Sequence, residues 1–199
     1  VMGGEAVVSC DTPVAPTDQY RHNMSCGQNI AEAKKLLKEA GYPNGIEMVI
    51  HVSTKEPTWP TIAEVIQQQV AKAGIKVEIK MTPSKSYWKE TWMKKDVAMT
   101  RWNERSADSV LHEVYHSSAK WNESYYKSSD FDKNLADARG ELDFTKRKAL
   151  YEKAQHTLWN QSGTMIPYHV SKLVVTNSRV KNLDEVEVFS IQWHKVKVD

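Results

Sequence analysis

The sequence has few of the features that would place it in a membrane or mark it as disordered. No run approaches the roughly 18 apolar residues that a membrane span needs. Apolar residues make up 40% of the 199 positions, and 27 basic residues nearly balance 25 acidic ones. This composition predicts a globular domain. Residues 1–5 include no initiator methionine and no signal peptide, which favours a piece of a longer protein.

An excess of one charge is also missing. The net charge is +2, and the Lys and Arg residues are scattered along the chain rather than gathered on one segment. The charge therefore gives no reason to expect nucleic acid as a partner. The seven Trp and eight Tyr residues outnumber three Phe. Such amphipathic rings either fill a core or lie where an N–H or O–H meets a ligand.

Cysteine is scarce, and both cysteines fall in the Pro- and polar-rich first 28 residues. A disulfide between Cys10 and Cys26 would contribute about 3 kcal/mol, mainly by restricting the unfolded chain. Such a pair is typical of an oxidising compartment. Two free thiols in a reducing cytosol remain the alternative at this point.

Regular structure is predicted to begin after residues 1–28, which form an extended or looped segment. Asn29 and Glu32 resemble a capping box, and Gly41 ends the helix that follows them. The next elements are a buried strand over 46–52, a helix with Pro60 in its first turn and an alternating strand over 75–81. This order predicts a right-handed βαβ unit with parallel strands.

The second half of the chain continues the alternation and then becomes β-like. The predicted elements are a helix over 86–95, a strand over 97–102, helices over 129–139 and 145–160, and β segments over 165–170, 173–176 and 186–189. We therefore predict an α/β fold with a mostly parallel sheet flanked by helices and with added β segments.

Ligands of open parallel sheets bind beyond the carboxyl ends of the strands. In this sequence those ends are followed by the loops 53–58, 82–84 and 102–108. The last loop carries Trp102, Asn103 and Arg105, which offer a ring, an amide and a guanidinium that can bind a carboxylate or phosphate. The loop is either a ligand contact or a solvated turn.

His112-Glu113-Val114-Tyr115-His116 matches the H-E-x-x-H pattern of zinc hydrolases. On a helix the two His side chains share a face, and the Glu can activate a zinc-bound water. Asp137 and Glu141 lie at plausible distances for a third ligand. However, only a short apolar run precedes the motif, and Ser117-Ser118 would end the helix at once. We therefore treat a secreted zinc hydrolase as the alternative and expect neither an enzyme nor a cofactor.

The ordered segments resemble the extracytoplasmic solute-binding proteins of family 5, which include the dipeptide- and oligopeptide-binding proteins of ABC importers. The resemblance covers about residues 29–183. The segments that carry it are the helix 33–43, Ala63-Glu64-Val65-Ile66-Gln67, the turn and strand 73–79, the helix 146–155 and Ile166-Pro167-Tyr168.

This resemblance implies a two-lobed periplasmic protein, or a membrane-anchored extracellular one, that closes over a peptide or other small solute and delivers it to a membrane permease. The chain would supply the C-terminal lobe, of the type II binding-protein kind, while the N-terminal lobe is missing. The implied parts are a hinge-proximal segment (1–28), the lobe (29–165) and a return hinge strand with the C-terminal segment (166–199). The expected solute contacts are Ser53, Lys55, Trp59, Ser84, Trp102, Asn103 and Arg105.

One position departs from the family pattern. Peptide-binding members carry an Asp three residues after the Trp of this loop, where it pairs with the peptide ammonium, and this sequence has Arg105. A guanidinium reverses the preferred charge of the ligand group. We therefore expect the solute either to present an anionic group at Arg105 or to bind in another register.

Overall fold

The computed structural model describes residues 3–171, 173, 175–183 and 193–199. Its helices are α1 (Ile30–Glu39), α2 (Trp59–Ala71), α3 (Ser84–Ser86), α4 (Ala107–Tyr115), α5 (Ser129–Gly140) and α6 (Phe144–Gln161). Its strands are β1 (Ala6–Val8), β2 (Ile46–Ser53), β3 (Ile75–Thr82), β4 (Tyr168–Val170), β5 (Val180–Lys181) and β6 (Lys197–Val198). The predicted α/β class is confirmed.

The βαβ unit forms as predicted. Strands β2 and β3 pair in parallel from Ile46 opposite Ile75 to Ser53 opposite Thr82, and α2 connects them. The side-chain oxygen of Asn29 accepts a hydrogen bond from the Glu32 amide at 3.0 Å, which confirms the predicted start of α1.

The strand predicted over 97–102 is reduced to one parallel bridge, in which Ala98 lies opposite His51. The His51 amide donates to the Val97 carbonyl, and the Met99 amide donates to the His51 carbonyl, both at 3.0 Å. The buried hydroxyl of Tyr87 then donates to the Met99 carbonyl at 2.5 Å. The hydroxyl thus meets the carbonyl at which the ladder would continue. Because only one bridge forms, the prediction of a full strand was wrong.

The helix predicted over 86–95 was also wrong in extent. After α3 the chain makes a single π-helical turn, Tyr87–Thr91, in which the Trp92 amide donates to the Tyr87 carbonyl at 3.0 Å. Met93 then adopts a positive φ of 54°, which ends helical geometry. Tyr87, the first residue of this wider turn, has its ring fully buried in the core.

The buried side chains form two clusters. The first packs α2 against β2 and β3, and its buried members are Ile50, Val52, Trp59, Ile62, Ala63, Val77 and Tyr87. The second joins α4, α5 and α6, with Ala107, Val110, Leu111, Val114, Tyr115, Phe131, Leu135, Ala138, Tyr151, Ala154 and Leu158 around Val14 and Tyr126. The predicted helices over 129–139 and 145–160 are α5 and α6.

The first and last parts of the chain meet in a small antiparallel pair. Strand β1 lies within the segment predicted to be looped, and it pairs with β4, where Val7 faces His169. The Cys10–Cys26 disulfide forms, with the two Cα atoms 5.4 Å apart. Because only short stretches find partners, the β segment predicted over 165–170 shrinks to β4.

The remaining β predictions have mixed outcomes. The described residues of 173–176 are not in a strand, and the segment 186–189 lies outside the described residues. The C-terminal part instead forms a two-residue antiparallel pair, β5 with β6, which the pattern did not predict.

Candidate functional site

The loops predicted to carry the site meet at the carboxyl edge of the parallel strands. The Thr54 amide donates to the Thr82 carbonyl at 3.1 Å, and the Ser84 amide donates to the Thr54 hydroxyl at 3.2 Å. Arg101 Nε donates to Glu56 Oε1 at 3.1 Å. This hydrogen bond joins the loop after β2 to the segment that follows the bridge at Ala98. The parallel register of the strands produces this convergence.

Two of the predicted contacts lie beneath the surface of this edge. Ser53 is only 1% exposed, and its hydroxyl accepts the Lys55 amide at 3.2 Å. Trp59 is 5% exposed, and its ring centroid lies 5.8 Å from that of Tyr87. Both side chains therefore shape the edge from below.

The other predicted contacts reach solvent to different extents. Lys55 and Asn103 are exposed, and Ser84, Trp102 and Arg105 are partly buried. The predicted residues thus lie within or next to three neighbouring loops, with Trp102, Asn103 and Arg105 on one of them.

Trp102 and Arg105 contact each other on this surface. The Trp102 ring lies 5.7 Å from the ring of Trp121, and the guanidinium carbon of Arg105 lies 5.2 Å from the Trp102 centroid. Arg105 Nε also lies 3.6 Å from Glu113 Oε2. The arrangement presents a cation on an aromatic platform, with a carboxylate beside it.

The loop that bears these residues is held by side chains distant in sequence. The Thr17 hydroxyl donates to Glu104 Oε1 at 2.8 Å, and the Ala107 amide donates to Asp18 Oδ2 at 2.7 Å. At the other end of the loop, the Thr100 hydroxyl donates to Glu123 Oε1 at 3.0 Å. The N-terminal segment therefore belongs to the scaffold of the candidate site.

The sequence analysis missed several side chains at this edge. They are Thr17, Asp18, Glu56, Arg101, Trp121 and Glu123, and Glu113 was considered only as a zinc-site residue. The abundance of Trp was the one signal that could have indicated Trp121. The remaining contacts depend on tertiary packing between segments far apart in the chain.

The H-E-x-x-H residues do not present two free imidazole nitrogens. Nδ1 of His116 accepts the Ser118 amide at 3.1 Å, so the proton of the neutral ring is on Nε2, which lies 3.8 Å from Asp132 Oδ1. Nε2 of His112 lies 3.5 Å from Nη1 of Arg139, a group that only donates. Both rings thus already have other polar partners.

Burial, followed by the nearby charge of Arg139, lowers the pKa of His112 and so favours its neutral form. The two candidate third ligands are engaged with other groups. Asp137 pairs with Lys133 at 2.5 Å, and Glu141 accepts the Asp143 amide at 2.8 Å. Among the residues that the structure describes, no three His, Cys, Asp or Glu side chains are grouped to hold a metal ion.

The chain is similar in sequence to bacterial solute-binding proteins. Residues 1–122 match the family described as bacterial extracellular solute-binding proteins, family 5 Middle. The glutathione-binding protein GsiB of Escherichia coli strain K12 is 32% identical over 161 residues, which cover 74% of this chain and 31% of that protein. The homologue from Salmonella typhi is also 32% identical. The chain therefore spans about a third of the length of these relatives.

Solved structures support the same fold. The periplasmic binding protein DppA of Helicobacter pylori, in complex with the peptide STSA, superposes with a TM-score of 0.75 at 29% identity, over 98% of this chain and 40% of that one. HbpA2 of Haemophilus parasuis superposes with a TM-score of 0.71 at 27% identity, over 84% and 35% of the two chains. No helix in the described part of the chain is long and apolar enough to cross a membrane.

Proposed function

Because the chain belongs to the family 5 bacterial extracellular solute-binding proteins, whose relatives are solute-binding proteins rather than enzymes, we propose that it supplies one lobe of the solute-binding component of an ABC importer. The solute is a peptide or a peptide-like molecule. The observation that carries this proposal is the convergence of three loops at the carboxyl edge of the parallel strands, with Trp102 and Arg105 presented there.

The names of the relatives support this class of solute. GsiB is a glutathione-binding protein, and the matching DppA structure contains a peptide. Both ligands offer carbonyl and carboxylate acceptors for a guanidinium and apolar surface for indole rings. The proposed contacts of this lobe are Ser53, Lys55, Trp59, Ser84, Trp102, Asn103 and Arg105, with the buried Ser53 and Trp59 acting through the shape of the edge.

The proposed organisation places a hinge-proximal segment at 1–28, the lobe at 29–165 and the return strand at 166–199. Pairing of β1 with β4 supports this division, because it ties the first segment to the last beside the lobe. A second lobe of the same protein would complete the cleft, and closure over the solute would present it to the membrane permease.

The proposed location is the periplasm, or the outer face of a membrane to which the protein is anchored. The Cys10–Cys26 disulfide supports this location, because such bonds persist in oxidising compartments. The zinc-hydrolase alternative lacks support in the described part of the chain, since no three His, Cys, Asp or Glu side chains are grouped there to hold a metal ion.

Calorimetric titration of the natural-length protein with glutathione and with the peptide STSA tests the proposal. We expect one of the two probes to bind and Arg105→Ala and Trp102→Ala to weaken its binding about tenfold or more, which is about 1.4 kcal/mol. Arg179→Ala and Trp193→Ala are the matched controls, because these residues belong to the C-terminal segment of the chain and to none of the three loops. Wild-type affinity in both site variants would contradict the proposed site, and absence of binding by both probes would contradict the proposed solute class.

A further inference from the structure

Arg105 lies between an aromatic ring and a carboxylate, and its buried Nε makes no hydrogen bond to any residue that the structure describes. Its guanidinium lies over the Trp102 ring, and its side chain is 33% exposed. The Nε edge faces Glu113 at 3.6 Å, whereas the terminal nitrogens make no hydrogen bond to any residue that the structure describes. A guanidinium held in this way offers its two terminal groups to an acceptor that arrives from the cleft.

Glu113 is itself fixed on α4. The hydroxyl of Ser109, one helical turn earlier, donates to Glu113 Oε1 at 2.7 Å. The other carboxylate oxygen, Oε2, is the one that faces Arg105. The negative charge is therefore in place beside the guanidinium before any solute enters.

We propose that Glu113 is a specificity-determining residue that sets the charge preference of the site at Arg105. With the carboxylate beside it, the guanidinium favours a neutral acceptor, such as a peptide carbonyl, over a free carboxylate. This inference rests on the proposed function, because it takes Arg105 as a solute contact.

The physical reason is the competition between two anions for one cation. A ligand carboxylate on the terminal nitrogens of Arg105 would lie within a few ångströms of the Glu113 charge in a partly desolvated site, where like charges repel. A carbonyl accepts the same hydrogen bonds without this repulsion. The preferred solutes are therefore peptides that place an internal carbonyl or a terminal amide at Arg105, with their own carboxylate elsewhere.

The test uses the smallest carboxylate and its neutral analogue, so that it does not depend on knowing the solute. Acetate and acetamide are titrated at constant ionic strength into the natural-length protein, and the ¹⁵N-indole signal of Trp102 reports binding. In Glu113→Gln, which keeps the acceptor for Ser109, we expect acetate to bind about three- to tenfold more tightly. The response to acetamide should stay within about twofold of wild type.

Glu104→Gln is the matched control, because it removes a carboxylate from the same loop that pairs with Thr17 rather than with Arg105. We expect this variant to change acetate binding by less than half as much. Unchanged or weaker acetate binding in Glu113→Gln, or no response of Trp102 to acetate in that variant, would overturn the inference. Loss of glutathione and peptide binding in calorimetry would instead count against the proposed function, so the two failures are distinguishable.

Discussion

The guanidinium of Arg139 on α5 donates two hydrogen bonds to the carboxylate of Asp108 on α4, from Nε to Oδ1 at 2.7 Å and from Nη2 to Oδ2 at 2.8 Å. The hydroxyl of Tyr151 on α6 donates to the same carboxylate at 3.0 Å. Arg139 is the first cause of the lowered pKa of Asp108. One carboxylate therefore joins the three helices of the second cluster.

Arg139→Ala should lower the free energy of unfolding by about 1 kcal/mol, a value reduced because both side chains are partly exposed. Urea denaturation monitored by tryptophan fluorescence measures the change. Lys133→Ala is the control, since it breaks an exposed pair with Asp137 on the same helix and should cost less than about 0.5 kcal/mol. An equal loss of unfolding free energy in the two variants would show that the Arg139–Asp108 pair stabilises the protein no more than an exposed ion pair does.

Gly45 should tolerate no side chain. Its φ is +89°, and a Cβ built there would overlap the carbonyl of Gly74 across the start of the parallel pair. We expect Gly45→Ala to cost about 2–4 kcal/mol, because a clash with backbone adds to the strain of a positive φ.

Gly41→Ala provides a matched control for Gly45. Gly41 has nearly the same φ of +90°, but a Cβ there would meet nothing within 4 Å. Its cost should be limited to the backbone strain of about 1 kcal/mol. Equal midpoints for the two variants in urea would mean that the Gly74 contact is relieved by a shift of the strand.

His169 should make the stability of the β1–β4 junction depend on pH. Its Nε2 lies 2.9 Å from the Thr12 carbonyl, 3.2 Å from the Ser9 hydroxyl and 3.3 Å from Nη1 of Arg21. Burial lowers the pKa of His169 from its ordinary value of 6.5, and the charge of Arg21 lowers it further, whereas the Thr12 carbonyl and Glu104 oppose the change.

A lowered His pKa means that the unfolded chain binds the proton more readily. The free energy of unfolding should therefore rise with pH through the region below 6.5 and level off above it. Urea titrations at pH 5.5 and 7.5 measure this dependence, and His169→Gln, which does not titrate, should flatten it. An equal or steeper pH dependence in the variant would assign the effect to other groups.

Much of the fold follows from local signals in the sequence. The amide of Glu32 does bond to Asn29, and the glycines at 41 and 74 adopt the positive φ that ends a helix. Alternating and continuous apolar runs sufficed to predict β2 and β3 and their parallel pairing. These features depend on residues within one or two turns of each other.

The errors arise where a distant side chain decides the outcome. The predicted third strand ends after one bridge, where the Tyr87 hydroxyl donates to the Met99 carbonyl. The hydrophobic pattern of the sequence does not predict that contact. The strand order also predicted which loops would meet at the site. It did not predict that α4 would bring Glu113 beside Arg105, because that contact requires the packing of the second cluster against the loop.

The Cys10–Cys26 disulfide should stabilise the protein through the N-terminal segment that supports the site loop. The Cys10 carbonyl accepts a hydrogen bond from the Trp159 indole at 3.0 Å, and this hydrogen bond ties the disulfide-bonded segment to α6. The double variant Cys10→Ser, Cys26→Ser should lose about 3 kcal/mol, chiefly because the unfolded chain gains freedom.

Urea denaturation with and without a reducing agent measures the disulfide contribution. Wild type should shift to a lower midpoint on reduction, and the double variant should not respond, because it has no other cysteine to reduce. Trp159→Phe separates the hydrogen bond from the covalent link, and we expect it to cost about 1 kcal/mol while leaving the response to reductant intact. A wild-type midpoint that is insensitive to reduction would mean that folded contacts alone hold residues 10–26 in place.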